Sequence, residues 1–347
     1  MSLESENQSD QSITFKNKVL LVAFEKQSSL VKRLRKVADQ VGEHILDKAK
    51  AGNVFNFVML KPAIEQATSE GYNLVIAVDP EADRIALVVK KGVEGAFMVL
   101  NAHQVSAVLL QEWIKSGSYE GLHLVKSILM SDLLDVVARK GRVETIDQVI
   151  ESGDLKSAFE VAQATVAGKP LAGFNIDQQV MHSALSFEEI VVQIAELEAR
   201  QGAVEKNTYD ALMEVYFYNG FYKEKAVGLD LSLEIHKKQL NKFLSEVKRS
   251  PKFLEEIFSV SAVTDFNKGV KKNILTDKVY DHPIKGTNIL KIETVEGVSI
   301  TLVPSADKLT YYISVRESVN SPERFEMANK ALDQEIFKLV SFLNKQI

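Results

Sequence analysis

The sequence predicts two α/β units with mixed, mostly parallel sheets, followed by a C-terminal α+β unit. Strand-sized apolar runs such as 18–24 and 74–78 alternate with segments of helical periodicity, a pattern typical of βαβ units. From about residue 227 the strands follow one another, and a long helix ends the chain. That order is typical of an α+β domain.

The first unit begins with the apolar strand 18–24. Leu30, Leu34 and further apolar residues recur at helical spacing after it, so we expect a helix that ends at Gly42. A strand over 55–60 and a short helix over 62–69 complete the prediction. The next strand then ends in an acidic loop.

The second unit begins near Leu100. We expect, in order, a helix over 104–115, a strand over 124–129, a helix over 132–139, a strand-to-loop transition at 170–174, and helices over 186–201 and 207–218. Ser186, with Glu189 three residues later, predicts a capping box. The aromatic segment 216–222 is expected to close the unit.

The C-terminal unit changes in character. Its predicted elements are a strand over 229–231, a basic amphipathic helix over 237–249, a hairpin of 288–294 with 298–304, a strand over 309–315 and a helix over 322–343. Glu296 and Gly297 are placed at the hairpin turn, and Pro322 suits the first turn of the last helix.

Composition excludes several classes of protein. A length of 347 residues predicts two or three domains, and a net charge of −5 offers no basic stripe for nucleic acid. The absence of cysteine excludes disulfides and thiolate catalysis and fits a reducing compartment. No apolar run reaches the roughly 20 residues that span a membrane. The polar segment 1–12 lacks the features of a signal peptide, so we expect a disordered arm and a cytoplasmic protein.

The acidic loop carries the most specific signal. Asp79, Glu81 and Asp83 stand at alternate positions between two apolar strands, and Arg84 follows them. Carboxylates in that pattern can converge on one Mg²⁺, which takes oxygen ligands in a compact octahedron. The alternative is a structural turn, shaped by Asp79, in which Arg84 neutralises a neighbouring carboxylate.

This loop resembles the metal loop of the α-D-phosphohexomutases, the phosphoglucomutases and phosphomannomutases, where Asp-Pro-Asp-Ala-Asp-Arg holds the catalytic magnesium. Segment 100–110 resembles the family's Leu-Asn-Gly-Asn-Gln helix start, and 209–225 resembles the end of its third domain. The resemblance implies a second-domain-like region at 13–99, a third-domain-like region at 100–226 and a fourth-domain-like region at 227–347, after the arm 1–12. It also implies a weak Mg²⁺ site at Asp79, Glu81 and Asp83.

The family's first domain carries a phosphorylated serine in a Thr-Ala-Ser-His-Asn-Pro type motif. No such string occurs here, so we expect the catalytic-serine domain to be missing. Phosphoryl transfer depends on positioning the transferred group and stabilising its charge. Losing the phosphate carrier would remove the reaction itself.

The family's sugar loop reads Gly-Phe-Glu-Glu-Ser in the third domain. The matching string here continues from Gly173 and Phe174 through Asn175, Ile176 and Asp177. An apolar Ile176 cannot accept hydrogen bonds from sugar hydroxyls. The resemblance therefore implies a degenerate sugar site.

The family's phosphate loop reads Arg-Pro-Ser-Gly-Thr-Glu-Pro in the fourth domain. Val303 stands in place of its arginine, Ser305 and Lys308 remain polar, and Asp307 would repel a phosphate. Arginine–phosphate pairing is strong and bidentate, so the resemblance implies a degenerate phosphate site as well.

Two histidines have structural interpretations. We expect His103 to pack or cap at a helix start. His182 and Ser183 are adjacent in sequence, but a catalytic pair also needs a third group that orients the base.

These observations favour a catalytically inactive phosphohexomutase relative that acts as a scaffold or regulatory subunit. A protein partner or a second copy would cover the surface that a missing first domain leaves. Two alternatives stay open. One is a Mg²⁺-dependent mutase completed by a serine domain in trans, and the other is a sugar-phosphate sensor without turnover.

Overall fold

A computed structural model describes residues 17–47, 55–92, 95–251, 254 and 257–346. The predicted arm 1–12 lies outside the described residues. The chain forms two compact units. Of the described residues, unit 1 takes in those up to Ala82 together with those in Leu87–Val99 and Glu188–Ala211, and unit 2 holds the others. The domain boundaries predicted from sequence at 99 and 226 stay a prediction.

Unit 1 is built on a five-stranded sheet in the order β2-β1-β3-β4-β5. Its strands are β1 (Lys18–Ala23), β2 (Gln40–Ile45), β3 (Leu74–Val78), β4 (Ile85–Lys90) and β5 (Phe97–Val99), and its helices are α1 (Ser28–Leu34), α2 (Phe57–Glu70) and α6 (Phe187–Gly202). Strand β1 pairs in parallel with β2 and β3, and β4 pairs antiparallel with β5. Strand β3 is buried along its whole length, as its unbroken apolar run predicts.

Two sequence predictions in unit 1 are wrong. Helix α1 ends at Leu34, and Gln40–Ile45 is an edge strand in which Val41 pairs beside Val19. A helix ending at Gly42 is excluded by this pairing, and a Cβ atom at Gly42 would lie 2.1 Å from Tyr72 Oη. The apolar residues after Leu34 suggested a continuing helix. They lie partly in an edge strand, whose alternately exposed residues can give a similar apolar spacing over a short segment.

The predicted strand over 55–60 is instead the start of helix α2. Asn56 caps this helix, because its side-chain Oδ1 accepts a hydrogen bond from the Met59 amide at 3.0 Å. Pro62 removes one backbone donor inside the helix. The helix continues because Leu60, Ala63 and Ala67 are buried along one face.

The first part of unit 2 holds a four-stranded sheet in the order β7-β6-β8-β9. Its strands are β6 (His123–Ser127), β7 (Glu144–Gln148), β8 (Leu171–Phe174) and β9 (Val180–His182), and its helices are α3 (Ala102–Ser116), α4 (Leu133–Lys140), α5 (Leu155–Thr165) and most of α7 (Thr208–Asn219). Strand β6 is parallel to β7 and β8, and β9 returns antiparallel to β8. Asn101 and Gln104 form a capping box at the start of α3.

The C-terminal part of unit 2 is a seven-stranded antiparallel sheet in the order β10-β16-β15-β14-β11-β12-β13. Its strands are β10 (Phe221–Asp230), β11 (Val260–Asp265), β12 (Val270–Asn273), β13 (Val279–Asp281), β14 (Leu290–Thr294), β15 (Ser299–Pro304) and β16 (Lys308–Glu317), and its helices are α8 (Glu234–Arg249) and α9 (Pro322–Gln346). Gly297 has a φ of 87° at the β14–β15 turn, as the predicted hairpin requires. The predicted fold class is confirmed. In the part of the chain that is described, no helix is long and apolar enough to cross a membrane.

Candidate functional site

The acidic loop joins β3 to β4, where the sequence places it. Asp79 is 8% exposed, Glu81 is exposed and Asp83 is half-buried. The turn is closed by a hydrogen bond from the Ala82 amide to the Asp79 carbonyl oxygen at 3.2 Å. Ala82 takes a φ of 56°, in the left-handed region. The backbone therefore makes a tight turn at Asp79–Ala82, and the Asp83 carboxylate that follows it contacts other residues of the protein.

Unit 2 brings together three of the predicted site residues. The carboxylate of Asp83 accepts a hydrogen bond from Gln179 Nε2 at 2.6 Å and lies 3.3 Å from an Arg84 guanidinium nitrogen. A second guanidinium nitrogen of Arg84 lies 3.4 Å from Asp177 Oδ2. Backbone pairing of Arg84 with Gln179 holds these side chains in place. The carboxylates of Asp83 and Asp177 thus share one guanidinium.

Asp177 is only 4% exposed. Its Oδ2 also accepts hydrogen bonds from the Ser152 hydroxyl at 2.9 Å and from the Gly153 amide at 2.7 Å. A buried carboxylate needs such donors, since burying a charge without partners is costly. The hydrogen bonds of this oxygen are therefore made within the protein itself.

The side-chain amide of Asn175 also forms its hydrogen bonds within the protein. It is fully buried, its Nδ2 donates to the Glu151 carbonyl oxygen at 2.9 Å, and its Oδ1 accepts from the Ile176 amide at 2.8 Å. Four polar side chains of the acidic loop and the sugar-loop equivalent, together with Gln179, thus form an internal network. We call Asp83, Arg84, Asn175, Asp177 and Gln179 the loop network.

The resemblance implies magnesium at the acidic loop, which would need oxygen ligands free to bind the ion. Mg²⁺ takes near-octahedral oxygen ligands at 2.0–2.1 Å. The Asp83 carboxylate is already bound by an amide and a guanidinium cation. Among the described residues, no three His, Asp or Glu side chains are grouped so as to hold a metal ion. The residues as arranged do not fit a magnesium centre, and the weak site at Asp79, Glu81 and Asp83 stays a prediction.

The β15–β16 turn stands where the phosphate loop is expected. The Ser305 amide and hydroxyl both donate to the Lys308 carbonyl oxygen, at 2.7 and 2.9 Å. The Asp307 carbonyl oxygen accepts from the Leu231 amide at 2.9 Å. Ser305 Oγ therefore serves the turn itself, in the manner of a turn-forming serine.

His103 and His182 are both hydrogen-bond acceptors at Nδ1. The Ser131 amide donates to His103 at 3.2 Å, and burial lowers the pKa of His103. The Ala184 amide donates to His182 at 3.1 Å, and burial lowers the pKa of His182 to about 4. Both rings are therefore neutral near pH 7, with the proton on Nε2.

His182 and Ser183 do not interact as a base and a nucleophile. The His182 ring packs against Trp113 and Tyr119, with centroids 4.8 and 4.4 Å away. The Ser183 hydroxyl accepts a hydrogen bond from the Leu171 amide at 2.9 Å. Both side chains have structural partners.

Sequence reasoning missed a cluster of buried charges in unit 2. Lys126 is 1% exposed, and its Nζ lies 2.8 Å from Asp147 and 3.2 Å from Asp135. Asp132 pairs with Lys291 at 2.6 Å. The sequence signal was Lys126 within the predicted strand 124–129, and a search for apolar periodicity treats such a lysine as an interruption.

Neighbouring opposite charges favour the ionised forms of Lys126 and Asp132, whereas burial raises the pKa of Asp135. Burial alone would lower the pKa of Lys126, but Asp135 and Asp147 raise it above its usual value. Burial alone would raise the pKa of Asp132, but the Lys291 ammonium lowers it to about 2. The cluster borders a cavity of about 390 Å³.

Comparisons with known proteins place the chain among relatives of the phosphohexomutases. No family model matches it. It is 24% identical over 284 residues to the phosphoglucomutase of Staphylococcus epidermidis, which covers 79% of this chain and 50% of that protein. It is also 24% identical over 270 residues to that of Staphylococcus aureus, covering 73% of this chain and 47% of that protein.

Solved structures with the same fold point the same way. Paramecium pp63/parafusin, a phosphoglucomutase in its open form, matches with a TM-score of 0.59 and 12% identity over 82% of this chain and 49% of that one. A phosphoglucomutase/phosphomannomutase family protein of Burkholderia thailandensis matches with a TM-score of 0.56 and 12% identity, over 92% and 60% of the two chains. The resemblance to the α-D-phosphohexomutase superfamily is confirmed over much of the chain. The chain spans about half the length of the curated relatives it matches.

Proposed function

We propose that this protein is a non-catalytic relative of the phosphoglucomutases and phosphomannomutases that serves as a scaffold or regulatory subunit in a protein assembly. The observation that carries the proposal is the loop network. The Asp83 carboxylate lies in the acidic loop and Asp177 in the sugar-loop equivalent, and both bind Arg84 and neighbouring donors instead of facing outward.

The energetics of the loop network argue against a switch to a ligand-binding state. Freeing Asp177 would break hydrogen bonds from Ser152 and Gly153 and the ion pair with Arg84. Each hydrogen bond to a charged group contributes about 1.5–3 kcal/mol. A sugar hydroxyl gained in exchange would not recover that loss.

The β15–β16 turn supports the same proposal. Val303 carries no positive charge, and the Ser305 hydroxyl donates its hydrogen bond to the Lys308 carbonyl oxygen. The Asp307 carboxylate lies 3.9 Å from Lys237 Nζ and is 79% exposed. A substrate phosphate at this turn would meet the Asp307 carboxylate and would lack the arginine that the family presents at the position of Val303.

Exposed apolar side chains support the proposal that this protein binds a protein partner. In unit 1, edge strand β2 exposes Ile45 at 47%, and the first turn of α2 exposes Phe57 and Val58 at 54% and 81%. The edge strands of sheets and exposed apolar side chains are each common places for a partner to bind. The partner is a protein of another kind or a second copy, in a cytoplasmic setting.

A coupled assay that follows glucose 6-phosphate formed from glucose 1-phosphate with Mg²⁺ tests the proposal. Staphylococcus epidermidis phosphoglucomutase serves as the positive control. We expect no turnover from the purified chain, either alone or mixed with a cell extract depleted of its own mutase. Turnover from the chain alone would contradict the proposal. Turnover only in the mixture would favour a mutase completed in trans.

A further inference from the structure

Strand β10 is an edge of the seven-stranded sheet, since it pairs with β16 and with no other described strand. The pairing runs without a bulge over its whole length. Residues 226–229, Ala-Val-Gly-Leu, carry no charge, and Ala226 and Gly228 are exposed. Sheets usually protect such an edge with charged residues, proline, a bulge or a covering segment. We call residues 226–230 the open edge, because a further strand can add to the sheet there.

One backbone hydrogen bond shows which groups of the open edge face outward. The Leu231 amide donates to the Asp307 carbonyl oxygen at 2.9 Å, in the same register as the strand pair. Successive residues of an antiparallel strand direct their backbone groups to opposite sides, so the odd-numbered residues of β10 bond to β16. The amides and carbonyl oxygens of Ala226, Gly228 and Asp230 therefore face away from the sheet.

Helix α9 presents an exposed aromatic side chain above the open edge. Lys223 Nζ on β10 lies 2.7 Å from Asn329 Oδ1 and 2.6 Å from Asp333 Oδ1. Phe337 follows Asp333 by four residues, so it lies on the same face of the helix, one turn further along. The Phe337 side chain is 73% exposed, and Val340 nearby is half-buried. Apolar groups of the helix layer therefore lie beside the open edge.

We propose that the open edge joins two copies of this chain into a symmetric dimer, in which β10 pairs antiparallel with β10 of the second copy. A two-fold axis at Gly228 places Ala226 opposite the partner's Asp230, and Val227 opposite the partner's Leu229. The outward amides and carbonyl oxygens of each such pair then bond to each other. No like charges are opposed, and the apolar pair forms twice by symmetry.

Other registers of the same strand fit less well. An axis at Val227 would oppose Glu224 and the partner's Asp230, which carry like charges. An axis at Ala226 would oppose Asp230 and the partner's Tyr222, which is only 4% exposed. An axis later in the strand would extend the pairing past its end at Asp230. The proposed register therefore pairs the most residues without opposing charges.

The helix layer fits the same dimer. Helix α9 lies over β10 and β16, and neighbouring strands are about 4.8 Å apart. The axis between the two β10 strands therefore places the two α9 helices about 10 Å apart, near the distance of packed helices. Phe337 and Val340 of both copies would pack there and leave water. The loop network takes no part in this contact, so the inference does not rest on the proposed function.

Sedimentation velocity of the full chain over a range of concentrations tests the dimer. Ala226→Pro removes one outward amide and spares the pairing with β16, and Phe337→Glu puts a charge at an exposed position of the contact. Two controls match them. Val279→Pro changes an exposed residue of β13, the opposite edge of the same sheet, and Met327→Glu changes an exposed position on another face of α9.

We expect the parent to dimerise. Ala226→Pro and Phe337→Glu should each raise the dimer dissociation constant about tenfold or more, because a backbone hydrogen bond or an apolar contact is lost. Val279→Pro and Met327→Glu should leave the constant unchanged. A parent that stays monomeric up to its solubility limit would overturn the inference. So would a dimer that both edge variants leave intact.

Disulfide trapping tests the register. The chain has no cysteine, so Gly228→Cys can join two copies only at the proposed axis. Opposed residues of a hydrogen-bonded pair have Cα atoms about 5.5 Å apart, which a disulfide spans. The new side chain would meet the flexible end of Lys308, which can move aside. In Ala226→Cys, the matched control, the two sulfur-bearing residues would lie roughly 13 Å apart.

We expect mild oxidation to convert Gly228→Cys to a covalent dimer and to leave Ala226→Cys monomeric on a denaturing gel. Equal or faster cross-linking of Ala226→Cys would overturn the proposed register. No cross-linking of Gly228→Cys at concentrations where the parent dimerises would overturn the assignment of the contact to β10.

Discussion

Replacing Asp132 by asparagine removes one charge from the cavity and keeps the size of the side chain. The amide oxygen can still accept a hydrogen bond from Lys291 Nζ, which lies 2.6 Å from Asp132 Oδ1 in the parent. The change therefore isolates the electrostatic part of this pair. Asp132 is 28% exposed, so solvent screening is limited.

The magnitude follows from the pKa of Asp132. Burial would raise this pKa, but Lys291 lowers it from 3.8 to about 2. Each pKa unit corresponds to 1.36 kcal/mol, so the ionised carboxylate stabilises the fold by about 2 kcal/mol. Because the folded pKa lies below the unfolded one, this stabilisation is fully present above about pH 4. It disappears as the pH falls toward 2.

Urea unfolding followed by tryptophan fluorescence measures this effect. Trp113 is the single tryptophan of the chain and is 3% exposed in unit 2, so its signal reports on the correct unit. With an m-value near 3 kcal/mol per molar, Asp132→Asn should lower the midpoint by roughly 0.7 M at pH 7. At pH 3 the difference between the two proteins should be visibly smaller.

The matched control is Asp333→Asn. Asp333 also pairs with a lysine, Lys223, at 2.6 Å, but its side chain is 60% exposed. Exposed pairs contribute about 0–1 kcal/mol, so this variant should change the midpoint much less. Equal midpoints for Asp132→Asn and the parent at pH 7 would refute the reasoning. So would a difference that does not shrink in acid.

Three further outcomes follow from the same geometry. Burial lowers the pKa of His182 from 6.5 to about 4 in the folded protein. The parent should therefore lose about 3 kcal/mol of unfolding free energy as the pH falls from 6.5 to 4. His182→Asn should lose markedly less when urea unfolding is repeated over the same pH range. Gln179→Ala should lower unfolding free energy by about 1–3 kcal/mol, because Asp83 loses a hydrogen bond at 2.6 Å, whereas no loss in urea unfolding would contradict the loop network. Millimolar Mg²⁺ should leave the thermal midpoint unchanged, because Asp83 is already bound, and a rise that saturates with Mg²⁺ would restore the metal site.

Local sequence pattern predicted some buried elements of the fold and missed others, among them strand β11 and helix α5. Strand β3 is a continuous apolar run, and the strands of the β14–β15 hairpin flank a turn that contains Gly297. The order of residues within each segment was therefore enough to predict these elements. Strand β7 and strand β12 were missed because they carry mostly polar residues and are only partly buried. Their position depends on pairing with distant strands, which no local window contains.

The candidate site divides in the same way. The acidic loop was found because its three carboxylates are close in sequence. The partner of Asp83 is Gln179, 96 residues further along, and no spacing rule connects them. The ion pairs of Lys126 were missed for the same reason, since they form only when β6, β7 and α4 pack together.

The rate of glucose 6-phosphate formation by the purified chain, with glucose 1-phosphate and Mg²⁺, tests the central claim most directly. A double variant, Asp79→Asn with Asp83→Asn, controls for a contaminating mutase. We predict that the chain and the double variant both give the rate of the protein-free control. A faster rate for the chain that the double variant abolishes would contradict it, because the acidic loop would then support catalysis.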